Sequence, residues 1–246
     1  MKIKLIACEI FYREACAVVA RSTNQIDIEF LPKRLHDIGA RSMRQTLQES
    51  IDRVDEGQFD AIALAYGLCN NGIVGLQANS LAVVVPRAHD CITLFLGNKE
   101  RYRQYFESNP GTYFKTTGWI ERGENHDEWS QLSLQGLGDS YETLVEKYGE
   151  DNARYLKETI GDLTPNYSQC AFITMGVEPD DRYMKQAQQD AQEKGWRFEM
   201  LQGDLSLLQR LADAQWNEDE FLVTPPGGRI APCYNESIIQ IEEPQP

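Results

Sequence analysis

The first half of the chain alternates strand-like and helical segments. Four short apolar runs are predicted to be β-strands: residues 2–7, 26–31, 60–66 and 81–85. The last two runs are continuously apolar, which is typical of parallel strands that are covered on both faces. Residues 12–21 separate the first two runs and are predicted to be helical, and in residues 40–54 apolar side chains recur every three or four positions, which predicts a helix with one buried face. This order predicts a parallel sheet with helices packed against it.

The same alternation resumes towards the C-terminus. The predicted strands are residues 170–176, 196–201 and 220–224, and the predicted helices are residues 140–160, 181–194 and 204–214. The polar segment 121–139 separates the two halves and is a candidate linker or insertion. We therefore expect an α/β fold with mostly parallel, doubly wound, Rossmann-like sheets in two lobes, residues 1–120 and 140–246, and a binding crevice between the lobes.

Composition and charge narrow the range of functions. The chain has 246 residues, of which 41% are hydrophobic and 25% charged, as in ordinary globular proteins. Its net charge of -14 would repel a nucleic-acid backbone, so we expect no nucleic-acid partner. Its apolar runs are too short to span a membrane, so we expect no membrane partner. The N-terminal segment lacks the apolar length of a signal peptide, so we expect a cytoplasmic protein whose six cysteines stay reduced.

Three cysteines follow predicted strands. Cys8 ends the first strand, and Cys69 and Cys91 come shortly after the third and fourth strands. Because the carboxyl ends of parallel strands meet at one edge of a sheet, we expect these three thiols to lie together as metal ligands. Their spacing is not that of a zinc knuckle or ribbon, and the alternative is that they pack as small apolar side chains.

The segment after the third strand, AYGLCNNGIVG, contains residues that tolerate tight turns. We expect Gly67, Asn70, Asn71 and Gly72 to bring the backbone close to a bound cofactor. The segment lacks the Gly-Lys-Ser/Thr of a P-loop, so a nucleotide phosphate site is not predicted. The alternative is a sharp turn without a ligand.

The segment PRAHDC, directly after the fourth strand, is dense in ionisable groups. Arg87 is a candidate for gripping a substrate carboxylate or phosphate. His89 is a candidate metal ligand or general acid/base, and Asp90 a carboxylate that orients it. The alternative is that Arg87 and Asp90 form a pair that caps the next helix.

Aromatic residues and the remaining cysteines complete the candidates. Tyr113 and Trp119 are candidates for walling a flat cofactor, although core packing is the more common use of aromatic side chains. Cys16 and Cys170 are expected in core positions, and Cys233 is a further candidate for a fourth ligand.

Several of these segments together resemble a known family. CEIFYREA, LPKRLHDIGARSMRQTLQESID, YGLCNNGIVGL, VPRAHDCITLFLG and PGTYFKTTGW, within about residues 7–120, are similar to the domain of unknown function 1638. The resemblance implies no reaction. It implies only a gene neighbourhood, because members are similar to proteins encoded beside corrinoid-dependent methyltransferases for methylamines and betaines. By this association alone, it implies one-carbon metabolism and a corrinoid protein or methyltransferase as partner.

Three functions follow from these residues. The first is a metalloenzyme that binds a small-molecule ligand: Cys8, Cys69, Cys91 and His89 would hold zinc, or the three thiolates would hold an iron-sulfur cluster with one open iron. The second is a non-catalytic accessory protein of a corrinoid methyltransferase system. The third is a metal-free enzyme in which His89 activates one thiol. The sequence leaves zinc and iron both open.

Overall fold

The computed structural model describes residues 1–36, 39–122, 149–150 and 167–242. Its strands are β1 (Lys2–Cys8), β2 (Gln25–Leu31), β3 (Ala61–Ala65), β4 (Ala82–Pro86), β5 (Thr112–Thr116), β6 (Gln169–Thr174), β7 (Arg197–Gln202), β8 (Phe221–Thr224), β9 (Ile230–Pro232) and β10 (Ile239–Ile241). Its helices are α1 (Tyr12–Arg21), α2 (Ala40–Asp52), α3 (Cys91–Leu96), α4 (Lys99–Ser108), α5 (Thr117–Glu121), α6 (Arg182–Glu193) and α7 (Ser206–Ala212). The predicted linker from residue 123 onward, and the predicted helix at 140–160 except for residues 149–150, lie outside the described residues.

The main sheet has five strands in the order β2-β1-β3-β4-β8. The first four strands are parallel, and β8 is antiparallel to β4. The chain runs from β1 outward to β2 and then crosses back to β3 on the other side of β1. The strand order therefore reverses between β1 and β3, which makes this the point in an open α/β sheet where ligands are expected to bind.

A second sheet contains three parallel strands in the order β5-β6-β7, and β9 and β10 form an antiparallel pair. The sheets do not divide the chain at residue 120, because β5 belongs to the second sheet and β8 returns to the first. One hydrophobic core contains residues of both sheets, among them Val84 of β4 and Ile173 of β6. The expected α/β fold with mostly parallel, Rossmann-like sheets is confirmed.

The apolar pattern explains which faces are buried. All five residues of β3 are buried, as expected for a strand covered on both sides. On α2, the buried positions include Met43, Leu47 and Ile51, which are the apolar residues of its predicted inner face. Across the described ranges, no helix combines the length and the apolar character needed to cross a bilayer.

A buried carboxyl residue on α1 breaks this pattern. Glu14 on α1 is only 1% exposed, and neither of its carboxylate oxygens has a hydrogen-bond partner among the described residues. Burial raises the pKa of Glu14 from 4.5 to about 7, and the neighbouring Glu178 acts in the same direction. The folded protein therefore keeps this carboxyl protonated at pH values where the unfolded chain has lost the proton.

Because of the raised pKa of Glu14, we expect the stability of the protein to depend on pH. As the pH rises from about 4.5 to about 7, the unfolded chain gives up the Glu14 proton more readily than the folded chain, so the free energy of unfolding should fall and stay lowered above pH 7. Glu14→Gln removes the ionisation and should stabilise the protein at pH 8 by up to about 3 kcal/mol, with a smaller gain at pH 5. Urea denaturation at the two pH values measures both, with the exposed Glu56→Gln as control. An equal change at both pH values would contradict the prediction.

Candidate functional site

A cavity of about 240 Å³ lies where β1, β3 and β4 end. Cys8 is the last residue of β1, Cys69 follows β3, and Cys91 is the first residue of α3 after β4; all three line the cavity. Every lining residue lies between positions 8 and 91, so the main sheet and its loops form this site. The structure thus brings the three predicted cysteines together beside the reversal of strand order between β1 and β3.

The other cysteines lie elsewhere. Cys16 is exposed on α1, Cys170 is buried in β6, and Cys233 follows β9. The backbone N–H of Cys233 donates to the carbonyl of Ile238, which closes the turn between β9 and β10. None of these three residues lines the cavity, which separates Cys8, Cys69 and Cys91 from the rest.

The surroundings of the thiols disfavour their ionisation. Cys8 is buried, whereas Cys69 and Cys91 are partly exposed. Burial raises the pKa of Cys69 to about 12 and raises that of Cys91 well above its usual range, and the Asp90 carboxylate adds to both shifts. The thiols of Cys69 and Cys91 are therefore protonated at neutral pH unless a cation binds beside them.

The three thiols share a cavity but do not form a metal-binding group among the described residues. Within the described ranges, no group of three or more His, Cys, Asp or Glu side chains is arranged so that it could hold a metal ion. The side chains of Cys8, Cys69, Cys91 and His89 therefore do not form a tetrahedral group in this structure.

The loop that carries Cys69 has an unusual backbone. Cys69, Asn70 and Asn71 have φ values of 44°, 55° and 63°, and the N–H of Gly72 donates to the carbonyl of Leu68 at 2.9 Å. These residues form one left-handed helical turn, a conformation that asparagine tolerates better than cysteine does. Such strain persists only where neighbouring contacts impose it, and it occurs often at functional sites.

Contacts between the loops after β3 and β4 impose this turn. The N–H of Leu68 donates to the carbonyl of Ala88 at 2.7 Å, and the N–H of Cys69 donates to the carbonyl of His89 at 2.9 Å. At Gly67, a Cβ atom would lie 2.8 Å from the backbone of Asp90, so only glycine allows the two loops to approach this closely. The loops of Cys69 and Cys91 are thereby held as one unit.

The predicted glycine and asparagine residues fall into two groups. Gly67 and Asn70 line the cavity, whereas Asn71 and Gly72 do not. A Cβ at Gly72 would lie 2.2 Å from the sulfur of Met43, so this glycine allows the turn to pack against α2. Gly72 therefore serves the packing of the loop.

Asp90 lines the cavity, but its carboxylate is engaged in local structure. Its Oδ1 accepts hydrogen bonds from the N–H groups of Ile92 and Thr93, which caps α3, and its Oδ2 accepts one from the Tyr102 hydroxyl at 2.8 Å. Burial raises the pKa of Asp90, against the opposing effect of these hydrogen bonds. The carboxylate holds Cys91 at the start of α3, which agrees with the capping alternative for this residue.

Arg87 lies outside the cavity. Its guanidinium donates to the carbonyls of Glu218 at 2.7 Å, Ser237 at 3.0 Å and Ile239. These bonds fasten the C-terminal segment to the end of β4. The expectation that Arg87 grips a ligand in the cysteine crevice does not agree with its position, because Arg87 does not line the cavity and its Nε and Nη1 groups donate to backbone carbonyls.

His89 is exposed and lies at the boundary of two cavities. It lines the cysteine cavity and also a second cavity of about 450 Å³, which is bounded by α4 and by residues 235–238. Its imidazole is therefore placed at the mouth, where it can meet a molecule that enters from solvent.

The two predicted aromatic residues lie away from the thiols. Tyr113 is in the second sheet, 5.8 Å from Trp196 between ring centroids, and lines a separate cavity of about 180 Å³. Trp119 is on α5 and packs against the main core without lining the cysteine cavity. Neither residue can wall a cofactor that is held by the three thiols.

Two polar lining residues were not singled out by the sequence analysis. Lys33 is 4% exposed, and its Nζ donates to the carbonyl of Trp119 at 2.8 Å. Tyr66 is 3% exposed, and its hydroxyl has no hydrogen-bond partner in the described part of the chain. Both follow strand ends, after β2 and β3, so the rule that identified the cysteines could also have identified these residues.

Comparison with known proteins finds one family. The family described as "Protein of unknown function (DUF1638)" matches residues 30–212, a range that includes Cys69 and Cys91 and begins after Cys8. No curated protein and no solved structure matches the chain.

We expect Asp90 to contribute mainly to stability. Asp90→Ala removes the cap of α3 and leaves the Tyr102 hydroxyl without its acceptor, so it should destabilise the protein by about 2–3 kcal/mol. Tyr102→Phe removes one hydrogen bond only and should cost about 1–2 kcal/mol. Urea denaturation of both variants measures the difference, and an Asp90→Ala variant as stable as the wild type would contradict the capping role.

We expect Arg87 also to contribute mainly to stability. Arg87→Lys keeps the charge but cannot reach the carbonyls of both Glu218 and the segment around Ser237, so it should destabilise the protein by about 1–3 kcal/mol. Arg182→Lys, at an exposed ion pair with Asp180, is the matched control and should change stability by less than about 0.5 kcal/mol. Equal stability of the two variants would show that the contacts of Arg87 with the backbone carbonyls do not contribute to the free energy of unfolding.

Proposed function

Since the chain belongs to the DUF1638 family, whose description assigns no function, we propose from its site that Cys8, Cys69 and Cys91 hold a metal centre that acts on a small molecule in the same cavity. The observation that carries the proposal is the meeting of three cysteines from the ends of three separate strands. Their positions in the sequence are far apart, and only the parallel sheet brings them to one cavity.

The electrostatics of the cavity support a metal over a free nucleophilic thiol. A thiol attacks as the thiolate, and burial together with the Asp90 carboxylate raises the pKa of Cys69 and Cys91 far above neutrality. A bound cation would reverse this effect and favour the thiolates. The metal-free thiol enzyme is therefore the less supported alternative.

Among metal centres we propose an iron-sulfur cluster, and zinc is the alternative. Three thiols line the cavity, and three thiolates are enough to hold a four-iron cluster, whereas a tetrahedral structural zinc site needs a fourth ligand. Three cysteine ligands leave one iron of a four-iron cluster without a protein ligand. That iron would act as a Lewis acid towards an oxygen or sulfur atom of the bound molecule, the chemistry of a lyase.

The remaining residues of the proposed site have distinct tasks. His89, at the mouth, is the candidate for moving a proton to or from the bound molecule. Asp90 holds Cys91 in place through the cap of α3, and Gly67 allows the loops of Cys69 and Cys91 to approach each other. Arg87, Tyr113 and Trp119 have no part in this proposal. A role in one-carbon metabolism and a corrinoid-protein or methyltransferase partner stay predictions from the family resemblance.

The test is metal analysis of protein purified without oxygen. We expect a brown protein with broad visible absorption and with iron and acid-labile sulfide in similar amounts. A colourless protein with one zinc per chain would support the Cys₃His alternative. Protein that binds neither metal, also after reconstitution with iron and sulfide, would overturn the proposal.

Substitutions assign the ligands. Cys8→Ser, Cys69→Ser and Cys91→Ser each replace a soft thiolate by a hydroxyl of similar size and should each lose most of the iron. Cys16→Ser and Cys233→Ser, outside the cavity, are the matched controls and should keep the iron content of the wild type. Equal iron in all five variants would exclude the cavity as the metal site.

A further inference from the structure

We infer that the second cavity, of about 450 Å³, binds the uncharged aromatic ring of a small molecule whose polar end lies at His89. This inference deepens the proposed function, on which it rests for the reaction, because it names the class of molecule that would meet the metal centre. The binding of the ring depends on residues that the metal centre does not use, so it can be tested separately.

Helix α4 gives the second cavity an aromatic wall. Tyr102 and Phe106 both line the cavity and are one helical turn apart, so their side chains lie on the same face of α4. Their ring centroids are 5.9 Å apart, and Phe106 is 51% exposed. A ring that enters the cavity would cover the exposed part of Phe106. Contact between aromatic rings stabilises such a complex beyond the burial of apolar area.

The turn between β9 and β10 forms another wall and has a strained backbone. Ile238 lines the cavity and has a φ value of 65°, which a β-branched residue rarely adopts. The carbonyls on both sides of it are fixed, because Nη1 of Arg87 donates to Ser237 at 3.0 Å and also to Ile239. Strain of this kind persists only where contacts impose it, and it is concentrated at functional sites that include ligand clamps. Arg87 therefore shapes this wall without lining the cavity.

The charged side chains of the second cavity pair with each other or with the backbone. Arg103 forms an ion pair with Glu100 at 2.5 Å and lies 3.9 Å from a carboxylate oxygen of Glu236. Nζ of Lys99 donates to the carbonyls of Asp219 at 3.3 Å and Glu236 at 2.9 Å. The two basic and two acidic side chains among the described lining residues balance each other. An ion would lose its hydration here without a counter-charge in surplus, so the site favours an uncharged molecule.

The size and position of the second cavity suit a substituted ring. Its volume lies within the range of about 300–1,000 Å³ that is usual for small-molecule pockets, and an apolar cavity of about 150 Å³ is enough for benzene. His89 lines both cavities, and an imidazole can donate or accept a hydrogen bond. A polar group that binds to His89 would therefore lie where the second cavity adjoins the cavity of the three cysteines.

The test is titration of the purified full chain with phenol, a small ring of the proposed class, followed by ligand-observed NMR. Cyclohexanol is the comparison without an aromatic ring, and benzoate and benzylamine carry a negative and a positive charge. We expect phenol to bind about two- to tenfold more tightly than cyclohexanol, because only phenol gains the contact between aromatic rings. Both charged compounds should bind more weakly than phenol.

A substitution on α4 assigns the ring to the second cavity. Phe106→Ala removes the exposed ring and should lower the affinity for phenol about tenfold. Its melting temperature should stay within about 2 °C of the wild type, because Phe106 is exposed and alanine favours the helix. Tyr234→Ala, at a fully exposed aromatic residue that does not line the cavity, is the matched control and should keep the affinity of the wild type.

A second substitution tests the orientation of the bound molecule. His89→Ala removes the hydrogen-bond partner of the polar end and should lower the affinity for phenol about two- to tenfold. Toluene has a ring of similar size but no hydrogen-bonding group, so its affinity should be the same in His89→Ala and the wild type. An equal loss for phenol and toluene, or no loss for either, would contradict the placement of the polar end at His89.

Three further results would overturn the inference. These are a wild type that binds no phenol, an affinity for phenol that is equal in Phe106→Ala and the wild type, and binding of cyclohexanol or a charged compound that is as tight as that of phenol. Iron, sulfide and zinc are measured in the same samples. A wild type that lacks metal but binds phenol through Phe106 would overturn the metal centre and leave the aromatic site standing, whereas full metal without phenol binding would do the reverse.

Discussion

The reversal of strand order between β1 and β3 is the constraint on which the candidate site depends. In a parallel sheet, helices cover both faces, and the edge formed by the carboxyl ends of the strands is left to loops. Where neighbouring strands connect in opposite directions, their loops separate and leave a space between them. Cys8 and Cys69 lie on the two sides of this reversal, and the loop after β4 adds Cys91.

The loops around this space show how the chain can carry reactive groups in a stable fold. In the segment after β4, each ionisable residue has a different role. Arg87 fastens the C-terminal segment, Asp90 caps α3, His89 lies at the mouth and Cys91 lines the cavity. The two structural residues bracket His89 and hold the loop, and the cap formed by Asp90 sets the position of Cys91. The left-handed turn at Cys69 is held in the same manner by hydrogen bonds to the loop after β4.

Two of the buried polar groups without partners differ in position and in charge. The Glu14 carboxyl lies on α1, against the core and away from the cavity, and burial keeps its proton, which avoids a buried charge. The Tyr66 hydroxyl lines the cavity and is neutral, and its O–H lacks an acceptor among the described residues. The missing hydrogen-bond partner therefore has different consequences at the two residues. At Glu14 it makes the stability depend on pH, and at Tyr66 it leaves a hydroxyl in the cavity that a ligand atom would satisfy.

The sequence by itself determined the order of strands and helices, the buried face of α2 and the presence of three cysteines at strand ends. These features are local, because a strand or a helix reveals itself by the period of its apolar residues. The tertiary structure decided which strand ends are neighbours, that β5 pairs with β6 and β8 with β4, and that Lys33 and Tyr66 share the cavity of the cysteines. It also decided that Arg87 binds backbone carbonyls more than 130 positions further along the chain. The local sequence does not show contacts between residues so far apart. An arginine at a strand end has the same sequence surroundings whether its hydrogen-bond acceptor is a ligand or a distant backbone carbonyl.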